Sequence, residues 1–196
     1  VILIAVLSII VGYLLGSIPS AVIVSRLAKG VDIRTLGDGN MGARNTARSL
    51  GMRYGILVAA ADFCKGALSI LFARALGLSL GMQMLAGIAS IIGHDFPVFA
   101  GFKGGQGLAV TLGTLLALFP TQTLIGLIVY GLLFLIIKNS DISAGIGCGL
   151  IALILGIQQN WMGLFYMVVM MISIPMKKIL DDSRRKAMGT TQEVKK

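Results

Sequence analysis

The sequence predicts an all-α membrane protein, a polytopic bundle of about seven transmembrane helices with its N-terminus outside and its C-terminus cytoplasmic. Three observations carry that expectation. Of the 196 residues, 56% are hydrophobic and only 13% are charged, and the mean hydropathy is strongly positive. A soluble domain of this size needs more polar surface, whereas a bilayer core is a matching solvent. The apolar residues also fall in long runs separated by short polar stretches, and the basic residues gather in alternate stretches. The formal net charge of +9 therefore describes cytoplasmic loops rather than a basic face, and no nucleic acid is expected as a partner.

The first apolar run, about 1–28, passes through the turn Gly16-Ser17-Ile18-Pro19 and carries on. It has no basic n-region, so a span is expected rather than a signal peptide. The runs at about 54–76 and 78–93 supply one span each. Those at 108–137 and 142–176 are too long for one crossing, because about 20 residues cover a hydrocarbon core of roughly 30 Å. Pro120, followed by Thr121-Gln122-Thr123, interrupts the first, and Gln158-Gln159-Asn160 interrupts the second. Splitting at both points gives seven spans. Residues 1–176 then form the integral membrane unit and 177–196 a basic cytoplasmic tail.

Charge placement agrees with this count. Segments 29–53, 94–107, 138–141 and 177–196 face the cytoplasm and, with Arg26, hold all of the seventeen Lys and Arg residues except Lys65, within a span, and Arg74, outside. This is the positive-inside bias. A five-span count would move Lys138 and Asp141 outside. No internal repeat supports a transporter built from inverted halves, and the outside loops, short and almost uncharged, argue against a polar path across the membrane. Cys64 and Cys148 lie in apolar runs and there is a single histidine, so neither a disulfide framework nor a metal site is expected. No other cofactor and no obligate protein partner is implied.

Two glycine-rich polar segments fall on the cytoplasmic side. The first, "GDGNMGARN", spans residues 37–45 and is extended by Arg48 and Arg53; the second, "FKGGQG", spans 102–107. Glycines allow backbone N–H groups to approach an anion closely, and helix N-termini add a positive dipole end. Arg44, Arg48 and Lys103 add full charges, and arginine can grip a phosphate bidentately. Each segment alone also suits a plain inter-helix turn; two facing one compartment point to phosphate binding. Asp62 and Lys65, three apart on one helix face, are either a functional pair within the membrane or a neutralising lock for the bundle. His94 closes the third span as a cap, a hydrogen-bond donor or a base. Ser143 is a third polar contact at the cytoplasmic rim, or back-bonds to its own helix.

These segments carry a family resemblance. "GSIPSAVIVSRLAKGVDIRTLGDGNMGARNTARSLG" (16–51), followed by "DFCKG" (62–66), resembles the first signature of the bacterial acyl-phosphate:glycerol-3-phosphate acyltransferases, the PlsY family, and "GHDFPVFAGFKGGQG" (93–107) resembles the second. The resemblance covers roughly residues 10–145. It implies a multi-pass protein of the bacterial inner membrane with its active site facing the cytoplasm. It also implies a reaction: an acyl phosphate gives its acyl chain to the 1-hydroxyl of glycerol 3-phosphate, forming lysophosphatidic acid and inorganic phosphate. The partners are then these two substrates and the membrane lipids. The donor is an activated mixed anhydride, so the protein's tasks are to position both substrates and stabilise charge. Candidate catalytic residues are Asp38, Asn40, Arg48 and His94. Candidate substrate-binding residues are Gly37, Gly39, Gly42, Arg44, Asn45, Lys65, Lys103, Gly104, Gly105, Gly107 and Ser143.

The chain departs from the family pattern at four places. Asp38 stands where a serine is usual, and Gln106 where a lysine is usual. The third polar stretch reads Asp141-Ile142-Ser143 instead of Ser-Leu-Ser, and the tail lacks the family's His and Asn at the expected spacing. An unneutralised Asp38 would repel a phosphate, by about 4 kcal/mol at 4 Å and an effective dielectric near 20. Two roles for it are open: general base for the glycerol hydroxyl, or ion-pair partner of Arg44. The alternative function is a family member that binds lipid or phosphate esters without transfer.

Overall fold

The structure, a computed structural model, describes residues 2–193, with side chains to residue 181. The described chain consists of α1 (Ile2–Ser17), α2 (Ser20–Lys29), α3 (Ala43–Leu50), α4 (Met52–Ala75), α5 (Leu80–Asp95), α6 (Leu108–Leu118), α7 (Pro120–Ile137), α8 (Ser140–Ile157) and α9 (Trp161–Glu193), joined by loops and two short 3-10 turns. Among the described residues, five stretches are long and apolar enough to cross a membrane: Ile2–Lys29, Met52–Ala75, Pro120–Ile137, Ser140–Ile157 and Trp161–Asp181. The helices α5 and α6, of 16 and 11 residues, fall short of that length.

The helix ends follow local chemistry. Pro120 opens α7 directly after α6, where its missing N–H costs nothing. The polar Gln158–Asn160 stretch separates α8 from α9. Pro19 breaks the first apolar run into α1 and α2, because the proline ring disfavours a helical conformation at Ile18. The helix α9 passes Pro175 and carries Lys177 and Lys178 onward in helical form; the basic residues Arg184, Arg185, Lys186, Lys195 and Lys196 of the tail lie outside the described side chains.

Small residues bring the helices together. On α1, a Cβ at Gly12 or Gly16 would strike the carbonyl of Ala86 or Ser90 on α5, and a Cβ at Gly93 of α5 would strike the carbonyl of Tyr13. Gly66 of α4 and Gly113 of α6 pack the same way against the Val110 and Phe63 carbonyls. In lipid, where apolar burial gives no drive to association, such close contact is what holds helices together. The main core joins Ile70, Ile91, Val110, Leu115, Ile151, Tyr166, Met167 and Met170, and the buried Tyr166 hydroxyl donates to Thr114 Oγ1 at 2.9 Å. A second cluster of Ala21, Val22, Ile33, Met41, Val58 and Ala100 lies under the first glycine-rich segment. Outward side chains such as Leu3, Ile56, Leu135, Ile136 and Phe165 are exposed, as lipid-facing positions should be.

Cross-helix polar contacts sort the loops into two ends. At one, Arg44 reaches Asp141 at 2.8 Å, and Lys178 reaches the same carboxylate at 3.0 Å. At the other, Arg74 donates to the Ala117 carbonyl, and Gln122 to Gln158 Oε1 at 2.7 Å.

Candidate active site

The first glycine-rich segment is held from below and from within. Ile33 is fully buried in the second cluster and pins the loop to α2 and α4. Beside it, Asp32 accepts hydrogen bonds from Arg34 at 2.7–3.1 Å and from Arg26 at 3.0 Å. The hydrogen bond from the Arg34 side chain holds the Asp32 carboxyl well below the usual carboxylate range. Gly37 and Gly39 take the left-handed conformation, at φ 56° and 70°, which side-chain-bearing residues rarely adopt.

Asn45 is the hub of this loop. Its amide donates to the carbonyls of Leu36 and Asn40, both at 3.0 Å, and of Ile33 at 3.4 Å, while its Oδ1 accepts from the Asp38 backbone N–H at 3.2 Å. Expected among the substrate-binding residues, it is only 2% exposed and turns its polar atoms to the loop backbone.

The pairing of Asp38 with Arg44 is corrected by the structure. Asp38 Oδ2 accepts from Arg48 at 2.9 Å, and Oδ1 accepts from the Asn40 backbone N–H at 3.0 Å. The second bond is an Asx turn, which Asp forms through the N–H two residues on. Arg44, one turn earlier on α3, points instead to Ser140 and Asp141 at the start of α8. The carboxylate at position 38 thus shapes the loop, and Arg48 offsets its charge. Ser143 is fully buried and donates to the Asn139 carbonyl at 2.8 Å, the back-bonded of its two expected arrangements.

Beneath both glycine-rich segments lies a buried charged cluster. Lys65 Nζ sits 2.9 Å from Asp62 Oδ1 and donates to the Ile18 carbonyl at 3.0 Å. His94 Nδ1 lies 3.6 Å from the same Asp62 oxygen. The second segment folds back over the histidine: Gly105 N–H donates to the His94 carbonyl at 3.2 Å, and a Cβ on Gly105 would strike the imidazole Nε2. Gly104 packs as tightly on the His94 carbonyl. Asp62, Lys65, His94 and Gly105 line a cavity of about 10 Å³ with Met41, on the scale of one water molecule. Lys65 and His94, expected as substrate ligand and catalytic group, are thus engaged with Asp62 in the packed interior. Lys103 is exposed on the second segment.

Both segments end at a helix N-terminus, with Gly42 capping α3 and Gly107 capping α6. The two starts converge on a cavity of about 300 Å³. Its deep wall is apolar, formed by Leu108, Cys148, Met167, Met170 and Ile174; its mouth carries Arg44, Gln106, Asp141 and Lys178. Gly145, Met171 and Pro175, which also line it, are exposed between α8 and α9, so the cavity opens sideways. Sequence reasoning missed this wall. The available signal was the methionine series Met167, Met170, Met171, which recurs at helical spacing just before Pro175 and two lysines.

The fold and site define a polytopic helical membrane protein with a cationic, glycine-built face above an apolar cavity, suited to an amphipathic phosphate compound. The chain belongs to the glycerol-3-phosphate acyltransferase family, whose description it matches over residues 6–181. It is similar to the glycerol-3-phosphate acyltransferase of Aquifex aeolicus, 39% identical over 160 residues, which are 80% of this chain and 83% of that one. It is 45% identical to glycerol-3-phosphate acyltransferase 5 of Dehalococcoides mccartyi over 125 residues, 64% of this chain but only 54% of the longer relative. Its fold is similar to the crystal structure of PlsY (YgiH), an integral membrane glycerol 3-phosphate acyltransferase, in the glycerol 3-phosphate form, with a TM-score of 0.81 and 34% identity, covering 93% of this chain and 92% of that one. The lysophosphatidic acid form of the same enzyme is similar with a TM-score of 0.80.

Proposed function

We propose that this protein transfers the acyl chain of an acyl phosphate to the 1-hydroxyl of glycerol 3-phosphate, releasing lysophosphatidic acid and inorganic phosphate, at the cytoplasmic face of a bacterial inner membrane. One observation carries the reading: an apolar cavity of about 300 Å³ has a charged mouth built from α3, the second glycine-rich segment, α8 and α9. An acyl tail fits the wall, and a phosphate fits the mouth. The family membership and the glycerol 3-phosphate and lysophosphatidic acid forms of the similar enzyme support the acceptor and product.

The chemistry asks little beyond positioning. The glycerol hydroxyl attacks the acyl carbonyl, the C–O bond to phosphate breaks, and the hydroxyl proton leaves with a phosphate oxygen. Cations at Arg44, Lys178 and Lys103 and the N–H groups at the starts of α3 and α6 stabilise charge on the carbonyl oxygen and the leaving phosphate. Asn45 and Asp38 hold the loop that presents these groups. The buried Asp62–Lys65–His94 cluster fixes the second segment over the first.

The seven-span topology belongs to this reading. With α5 and α6 counted as crossings, the charged mouth and the tail share one side, and Arg74, Gln122 and Gln158 share the other. Five long spans alone are the coarser count.

Purified protein in lipid, given an acyl phosphate and labelled glycerol 3-phosphate, should yield labelled lysophosphatidic acid, and an acyl-thioester donor should not replace the phosphate. Absence of product from a folded protein, or transfer from the thioester alone, overturns the reading.

A further inference from the structure

The cations at the mouth of the apolar cavity are already occupied, by a side chain of the protein itself. Asp141 offers Oδ1 to Arg44 at 2.8 Å and Oδ2 to Lys178 at 3.0 Å. It thereby bridges α3, α8 and α9 across the opening through which a phosphate head would have to settle. We propose that Asp141 is an internal stand-in for the donor's phosphate, holding Arg44 and Lys178 in place in the empty protein and giving them up to the phosphate when acyl phosphate binds. This rests on the acyl-transfer reading for the identity of the ligand, but not for the competition itself.

The physical case has three parts. The two ion pairs are half-exposed, with side-chain exposures of 49% for Arg44, 54% for Asp141 and 48% for Lys178. Pairs so open to solvent contribute little and are readily exchanged. A phosphate monoester or acyl phosphate brings more charge than a carboxylate and an additional acceptor oxygen, so it can take Arg44 bidentately and keep Lys178. The released carboxylate does not become an orphan in the interior. It stays at the first turn of α8, where the N–H groups of Asp141 and Ile142 are already capped by Asn139 Oδ1 and the helix dipole favours a negative charge. The apolar wall behind the pair selects which anions compete. Free phosphate gains only the exchange of partners, while an alkyl or acyl phosphate also buries its chain against Met167, Met170 and Ile174.

A merely structural bridge predicts the opposite of a competitor. If Asp141 only ties three helices together, removing it loosens the site and weakens binding. If it competes, removing it frees the cations and strengthens binding by the inverse of the fraction of time they are free.

The experiment measures calorimetrically the affinity of detergent-solubilised full-length protein for dodecyl phosphate, which cannot transfer its chain, alongside donor and acceptor KM in the transfer assay. Asp141→Asn and the smaller Asp141→Ser should bind dodecyl phosphate about tenfold more tightly. They should lower the KM for acyl phosphate by a similar factor while leaving the KM for glycerol 3-phosphate unchanged. Lys178→Gln, which retains Asp141, should weaken dodecyl phosphate binding by about tenfold, and this arm decides the matter if neither Asp141 variant folds. Unchanged or weaker binding in the Asp141 variants, or unchanged binding in Lys178→Gln, overturns the proposal. Relief confined to product inhibition by lysophosphatidic acid, with donor KM constant, also overturns it, because the clamp would then hold the product. If wild type makes no lysophosphatidic acid yet binds dodecyl phosphate in this pattern, the acyl-transfer reading fails and the stand-in survives.

Discussion

Asp38 sits in a loop rich in anion-attracting groups, and its charge is tolerable because Arg48 lies 2.9 Å away. A double-mutant cycle should show Asp38 and Arg48 coupled by up to about 1 kcal/mol, the ceiling for a pair this exposed. Asp38 and Arg44 should be additive to within about 0.5 kcal/mol; glycerol 3-phosphate affinity at low salt is the readout, and the reverse pattern would restore the Arg44 pairing. Asn45→Ala should be costlier. It strips partners from the Leu36 and Asn40 carbonyls and the Asp38 N–H, at about 1–3 kcal/mol for each group left unsatisfied. The protein should unfold at lower temperature in detergent, and Asn45→Asp should not rescue it, because an oxygen would then face those carbonyls. At this scale the residue types were legible in the sequence, but their directions were not. Asn45 and Arg44 lie within one helical turn, yet one turns inward to its own loop and the other reaches 97 residues away.

The helices are held by glycines whose role depends on what faces them. Gly16→Val should drive α1 off the Ser90 carbonyl of α5, costing about 1–3 kcal/mol as overpacking does. Gly131→Ala in α7 meets nothing within 4 Å and should stabilise by about 0.5–1 kcal/mol through helix propensity. Thermal unfolding of the two variants in the same detergent compares them directly; equal effects would reject the close-packing account. Element boundaries were largely readable: Pro120 and Gln158–Asn160 fall where α6, α7, α8 and α9 meet. The turn at residues 16–19 was read, but as a passage within one continuous span and not as the break between α1 and α2, since the run stays apolar on both sides. The passage of α9 beyond Pro175 was not read: no capping glycine follows there, and the preceding carbonyls alone register the missing N–H.

For the whole molecule, the question is which ends share a compartment. With Cys64 and Cys148 replaced, single cysteines at 44, 103 and 138 should label from the same side, and one at 122 from the other. Labelling of position 103 together with 122 would leave α5 and α6 out of the crossing count, reducing it to the five long spans, and would separate the second glycine-rich segment from the first. The arrangement as a multi-pass bundle was legible because hydropathy and the distribution of lysine and arginine are global properties. The cavity was not, because its wall is assembled from three helices, α6, α8 and α9, whose residues read in sequence as ordinary lipid-facing positions. Its sideways opening at Gly145, Met171 and Pro175 has a kinetic consequence. A donor that arrives through the bilayer is encountered in two dimensions, so what the protein senses is the donor's mole fraction in the lipid phase rather than its amount per volume of solution. Adding inert phospholipid at fixed total donor should slow turnover in proportion to the dilution, while the same addition leaves the dependence on water-borne glycerol 3-phosphate unchanged. A rate indifferent to that dilution would mean that the donor comes in from the aqueous side, past Arg44 and Lys178.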